Sequence, residues 1–315
     1  MALSGSYTFT RTAGQIVSGA LRKLGILADG EEASADQMAD GLDDLNLLVK
    51  SWPAKGIDLW RYEDLTVFVD TTSQSYLVGA TGDKASFNAF KTELAVAASS
   101  GASTITVDSD ANITNGDVIG IELSDGTLQW TTVNGVPASD VVTLTATLTG
   151  AASVDGHIYN YTTIAQRPMR LYDGRVKLDN DSEIELFQLS REGYKGLTTK
   201  ETSGVPTQFY YNPLLDNGKL SIWPVSESVK YRLLFSAQRQ LQDLTTTTDS
   251  LDFPQEWLRA LIFNLAVDMA FDYSIIDTNS NQFTALKQHA TDLLEEVENF
   301  DIENASVFMS PNEDC

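Results

Sequence analysis

The chain has 315 residues, 42% of them hydrophobic, which is enough to bury one large core or two smaller ones. Its 21 basic and 44 acidic residues leave a net charge of −23, a field that repels nucleic acid and anionic lipid and disfavours a tight grip on DNA. With Cys315 the single cysteine and His157 and His289 the two histidines, neither an intramolecular disulfide nor a Cys/His zinc site can be built within one chain.

No stretch approaches the roughly 20 apolar residues that cross a bilayer, and residues 1–12 hold no apolar signal-peptide region, so a soluble protein without a signal peptide is expected. Two helices follow, each opened by a reciprocal capping box, Thr12 with Gln15 and Ser34 with Gln37. In the first, Ile16, Ala20, Leu21 and Leu24 recur at helical spacing, and Gly25 stands where a left-handed terminating residue belongs. In the second, Met38, Leu42, Leu45, Val49 and Trp52 form the apolar stripe, with Pro53 and Gly56 ending it.

From about Thr72 to Thr163 the composition shifts to short alternating runs rich in Thr, Ser, Val and Gly. Predicted strands cover 104–107, 117–123, 127–133, 141–148 and 157–161, with Asp125-Gly126 as a hairpin turn, and together they suggest a small barrel or sandwich. Strands continue at 183–189, 208–211, 219–223 and 231–237, where Asn217-Gly218 signals another hairpin. Pro254 then suits a first helical turn, and Trp257, Leu258, Leu261, Leu265, Ala266 and Met269 give a broad apolar face. A last helix carries Phe283, Leu286, Leu293, Leu294, Val297 and Phe300. Amphipathic helices too short to stand alone must meet a partner, so those at the two chain ends are expected to join.

The expected fold class is therefore α+β, a helical bundle formed by N- and C-terminal helices with inserted antiparallel β-domains. The expected divisions are 1–64 (N-terminal helices), 65–164 (small β-barrel or sandwich), 165–250 (second β-region), 251–300 (C-terminal helices) and 301–315 (tail).

The catalytic inventory is close to empty: no phosphate-binding loop, no G-x-S-x-G and no H-E-x-x-H occurs, so no cofactor, no metal site and no enzymatic activity are expected. His157 and His289 read as ordinary packed or surface histidines rather than members of a Ser-His-Asp arrangement. Among so many carboxylates, the pairs Glu31/Glu32, Glu183/Glu185 and Glu295/Glu296 read as solvated faces rather than a glycosidase pair. Glu295 and Glu296 sit late in a helix, where negative charge opposes the macrodipole and would suit basic groups of a partner. The aromatics Trp60, Tyr62, Phe209, Tyr210, Tyr211, Trp223 and Trp257 read as packing before they read as a stacking platform.

Three ordered stretches carry a family likeness. TAGQIVSGALRKLGILADGEEASADQMADGLDDLNLLVKSWPAKGIDLW, at 12–60, resembles the N-terminal region of the head-to-tail adaptors of short-tailed phages, also called tail accessory factors or packaged-DNA stabilisation proteins. GVPTQFYYNPLLDNGKLSIWPV, at 204–225, and DFPQEWLRALIFNLAVDMAFDY, at 252–273, are similar to sequence in longer members, in the same order. The resemblance implies a homo-oligomeric ring, generally of twelve copies, that docks on the portal protein, lengthens the DNA channel, stabilises packaged DNA and offers a platform to the tail nozzle or to fibre and spike proteins. DNA would pass without sequence-specific binding, for which an acidic wall is suited because it avoids phosphate contacts. The implied place is the virion connector, assembled in the host cytoplasm, with no membrane partner. The implied portal-binding element is the C-terminal tail with Phe300, Ile302, Val307, Phe308 and Met309; a disordered terminus is the alternative for the same residues. Rival readings are a tail-associated peptidoglycan hydrolase and a carbohydrate-binding virion module stacking sugars on Trp130, Tyr159 or Tyr161.

Overall fold

A computed structural model of the chain describes residues 5, 9–52, 61–273 and 281–300, and the chain is α+β. It divides into two compact units, Met1–Trp60 with Leu241–Cys315, and Arg61–Gln240. The described helices are α1 (Ala13–Lys23), α2 (Ala35–Ser51), α3 (Arg191–Gly196), α4 (Leu258–Met269) and α5 (Asn281–Phe300).

In the first unit both capping boxes form. Gln15 N–H donates to Thr12 Oγ1 at 3.3 Å while Thr12 N–H donates to the Gln15 side chain at 3.2 Å; Ser34 and Gln37 repeat the exchange at 2.9 and 3.3 Å. At the other end of α1, Gly25 takes φ +73°, so that Ile26 N–H reaches the Leu21 carbonyl and Gly25 N–H the Arg22 carbonyl, a Schellman ending. Ile16, Val17, Ala20 and Leu21 of α1 enter one core with Leu45, Leu48 and Val49 of α2, the buried face of α4 and Phe283, Leu293, Leu294 and Val297 of α5. Gly41 lets α2 approach α1 closely, since a Cβ there would lie 2.5 Å from Val17 Cγ1 and 3.1 Å from Met269 Cε.

Two expectations shift in this unit. Pro254 precedes a 3-10 turn, Gln255–Trp257, and α4 itself starts at Leu258. The segment from Leu241 to Ser250, expected within the second β-region, belongs to the helical unit. Leu241 and Leu244 are buried in its core, Asn46 of α2 exchanges two hydrogen bonds with the Leu244 backbone at 2.8 and 3.0 Å, and the start of α1 is held by Ala13 N–H to Asp249 O and Gly14 N–H to Thr247 O.

In the second unit the strands are, in chain order, β1 (Tyr62–Phe68), β2 (Ser75–Val78), β3 (Ala85–Ser86), β4 (Phe90–Val96), β5 (Thr104–Val107), β6 (Val118–Glu122), β7 (Leu128–Thr132), β8 (Val141–Thr143) and β9 (His157–Tyr161). They continue with β10 (Arg170–Lys177), β11 (Glu183–Glu185), β12 (Phe187–Gln188), β13 (Ser203–Gly204), β14 (Gln208–Asn212), β15 (Gly218–Trp223), β16 (Val225–Ser226) and β17 (Arg232–Gln238). One sheet runs β11-β10-β17-β1-β3 and a second β12-β14-β15-β2; their buried residues, among them Leu65, Val67, Val78, Phe209, Leu220, Ile222, Leu233 and Phe235, share one core. A third sheet, β7-β6-β9-β4-β5-β8, surrounds its own core of Leu94, Ile105, Ile119, Ile121, Val142 and Ile158.

That third sheet closes on itself. Asn134 N–H donates to Thr143 O and Thr145 N–H to Thr132 O, each at 2.9 Å, which joins the end of β7 to the chain around β8 and curls the sheet into a small barrel. The strand expected over 141–148 stops at Thr143, and the residues after it bond to both sides, Leu144 N–H to Ser103 O and Thr145 N–H to Thr132 O. The expected block 65–164 is likewise divided by pairing. β1 pairs with β17 from Tyr62↔Gln238 to Phe68↔Arg232, and β2 pairs with β15, so the barrel begins only at β4.

The Asp125-Gly126 turn joins β6 and β7 as expected, with Gly126 at φ +81° and Asp125 Oδ1 accepting from Thr127 N–H and Oγ1–H. The hairpin signalled by Asn217-Gly218 is present as the antiparallel pair β14–β15, whose innermost pair is Asn212↔Lys219. The chain bends over Leu215–Asn217, and Gly218 is the first residue of β15; it must lack a side chain because the Tyr211 phenol occupies that space, donating to the Pro168 carbonyl at 2.5 Å.

Candidate functional site

Of the residues expected to bind a portal, Phe300 ends α5 and is 78% exposed, while Ile302, Val307, Phe308 and Met309 lie outside the described residues. Beside Phe300 runs a groove of about 320 Å³ between α4 and α5. Ala260, Leu293 and Val297 give it apolar walls, and Glu256, Arg259 and Glu296 lie around it. Glu256 comes from the 3-10 turn, Arg259 and Ala260 from α4 and the others from α5, so their convergence depends on how α4 meets α5. His289 sits on the same pair, its ring edge-on to Phe263 at 4.7 Å and its Nε2 3.4 Å from an Arg259 nitrogen, which makes it a packed surface histidine.

A second cavity in the helical unit, about 420 Å³, is lined by Asp40, Asp43, Asp44, Asp272 and Tyr273. Partial burial, followed by the charges of Asp272 and Asp268, pushes the Asp44 carboxyl up to about 6. Among the described residues no group of three His, Cys, Asp or Glu side chains could hold a metal ion.

Within the β-unit, charged groups gather around His157, which is only 4% exposed. Its Nε2 lies 3.0 Å from Asp179 and 3.7 Å from Glu93, and its Nδ1 lies 2.9 Å from the Tyr159 hydroxyl, which in turn donates to the Lys230 carbonyl at 3.0 Å. Burial and then the Lys91 ammonium push the imidazole below its ordinary pKa, against the opposing pull of Asp179 and Glu122. The ring's partners are carboxylates and a buried phenol, so the cluster ties barrel strand β9 to the β10–β11 connection rather than presenting a nucleophile.

The residues considered for sugar stacking are mostly out of reach. Tyr159 and Tyr161 are 0% and 1% exposed and pack against Phe68 with ring centroids 5.0 and 6.0 Å apart. Trp130 is half-buried, lies across Gly120, and faces Phe68 at 5.0 Å, so its rings chiefly fill the space between the barrel and β1. The paired carboxylates Glu31/Glu32, Glu183/Glu185 and Glu295/Glu296 are all exposed.

Sequence reasoning did not single out the exposed hairpin tip between β14 and β15, where Leu214 and Leu215 are 46% and 89% exposed. Two consecutive leucines between Pro213 and Asp216, in a segment too short to bury them, are the signal that could have found it.

No family model matches the chain, and no curated protein matches it. Seven chains of solved structures do, including the tailspike gp61 of Pseudomonas phage phi297 (19% identity, 23% of this chain, TM-score 0.20). Another is the Gp54 tailspike of Acinetobacter baumannii bacteriophage AP22 in complex with A. baumannii capsular saccharide (14% identity, 25% of this chain, TM-score 0.22). The chain spans 14% and 16% of those two proteins, and a likeness of this extent carries no argument about fold or function.

Proposed function

We propose that this chain is a structural subunit of the connector that joins a phage capsid portal to a short tail, built as a helical bundle from both chain ends with inserted antiparallel β-domains. About twelve copies form a ring that docks on the portal, lengthens the DNA channel, helps retain packaged DNA and gives tail proteins a platform. The subunit acts by contact, without catalysis or cofactor, and its place is the virion.

The observation that carries this reading is the single core shared by α1, α2, α4 and α5, which supports reading residues 61–240 as an insertion within a helical subunit. That order of parts is the one implied by the three stretches resembling head-to-tail adaptors. The acidic balance supports a passage that DNA slides through rather than sticks to. Phe300, exposed at the end of α5, supports an apolar contact beginning where the portal-binding tail is expected. Purified chain mixed with portal rings and imaged by electron microscopy should give a second ring stacked coaxially on the first. Bare portals beside free monomer would overturn the proposal.

A further inference from the structure

The β14–β15 hairpin tip is an apolar knob held on a rigid base. Asn217 donates to Thr81 Oγ1 at 2.9 Å, and Asp83 accepts from Leu77 N–H at 2.7 Å while its own N–H donates to the Leu77 carbonyl, so two neighbouring reversals of the chain brace one another. Above that base Leu215 is 89% exposed, with Asp216 beside it and Lys219 exposed on the outer face of the sheet, where it pairs in register with the half-exposed Leu77. Leu215 gains little packing within the chain and Leu214 only part, so their exposed apolar area is available to a partner.

The α4–α5 groove has complementary chemistry. Ala260, Leu293 and Val297 offer an apolar trough to a branched aliphatic side chain, Glu256 and Glu296 offer carboxylates to Lys219, and Arg259 offers a guanidinium to Asp216. Both signs are matched, which matters for a chain of net charge −23: two copies repel, and a self-contact must bring the few cations onto carboxylates. The two surfaces are different, so a contact between them is heterologous and can propagate round a ring, whereas a patch that met itself would stop at a dimer.

We infer that the Leu214–Leu215 knob of one copy seats in the α4–α5 groove of the next, with Lys219 facing Glu296 across the joint. This rests on the ring reading, and names the surfaces by which one subunit holds its neighbour.

The test uses full-length chain with Cys315→Ser, carrying either Leu215→Cys or Glu296→Cys, both at exposed positions where the fold tolerates substitution. Under oxidising conditions at the concentration and on the portal where the wild-type chain assembles, a covalent dimer is expected only when the two variants are mixed, because a disulfide requires Cα atoms within roughly 7 Å. Lys219→Glu should also lower ring yield at least tenfold, and adding Glu296→Lys to the same chain should restore it. Rings seen by microscopy with no cross-link in the mixture and no effect of Lys219→Glu overturn this joint and leave the ring reading standing. A dimer from Leu215→Cys alone overturns the heterologous contact. Failure of the wild-type chain to form rings overturns both.

Discussion

At Asp44 the folded carboxyl is held at about 6 by burial and by Asp272 and Asp268, above the ordinary value of 3.8. The protonated form is thus favoured in the folded state, so this group's stabilising contribution is complete below about pH 4 and is lost as pH rises through about 6. Asp44→Asn should leave stability at pH 4 nearly unchanged and raise the melting temperature of the helical unit at pH 7 to 8, flattening its dependence on pH between those limits. A variant whose melting curve follows the wild type at every pH would contradict that account. Leu261 and Leu215 give the contrasting pair for packing. Leu261 is 0% exposed in the helical core, and its replacement by alanine should cost about 2–5 kcal/mol in denaturant titrations. Leu215→Ala should stay within about 0.5 kcal/mol, as expected of a side chain whose partner is another molecule.

Helix α2 shows how two local effects compete. Gly41→Ala raises intrinsic helix propensity by about 1 kcal/mol, yet its Cβ would enter Val17 at 2.5 Å, and overpacking of this kind costs about 1–3 kcal/mol. Because Val17 lies on α1, fixed by its own cap and Schellman ending, the contact should win and chemical denaturation should show a net loss. Ser34→Ala at the start of α2 should cost about 1 kcal/mol by removing the acceptor for Gln37 N–H. Features of this kind were legible beforehand, since caps, helical stripes and the Asp125-Gly126 turn are written within a few residues. Less legible were those set by distant partners. Gly218 looks like a turn residue in the sequence, but its need for a bare backbone comes from Tyr211 across the hairpin. α3, opened by Ser190 and buried nowhere, has no apolar stripe to announce it. Pairing of β2 with β15 spans most of the β-unit, and nothing in Ser75–Val78 itself distinguishes that sheet from the barrel.

At the scale of the whole molecule, the compactness of residues 61–240 as a unit of their own predicts that this segment folds without the helices. Expressed alone, residues 61–240 should give a dispersed NMR spectrum and a cooperative thermal transition, since their apolar residues are buried among themselves. A collapsed spectrum would show that the β-unit depends on the helices for its structure. The candidate contact surfaces were only partly legible at this scale. Phe300 stood out as an apolar residue ending an acidic helix, but the groove beside it exists only once α4 lies on α5, and its matching knob is made by a hairpin far away in the chain.

The most direct test of the connector reading is the mass of what the chain forms on a portal, read by native mass spectrometry. The account predicts a discrete complex heavier than the portal by a whole multiple of 34.4 kDa, about twelve subunits, with no stable smaller additions. A portal whose mass is unchanged beside a 34.4 kDa monomer would contradict it.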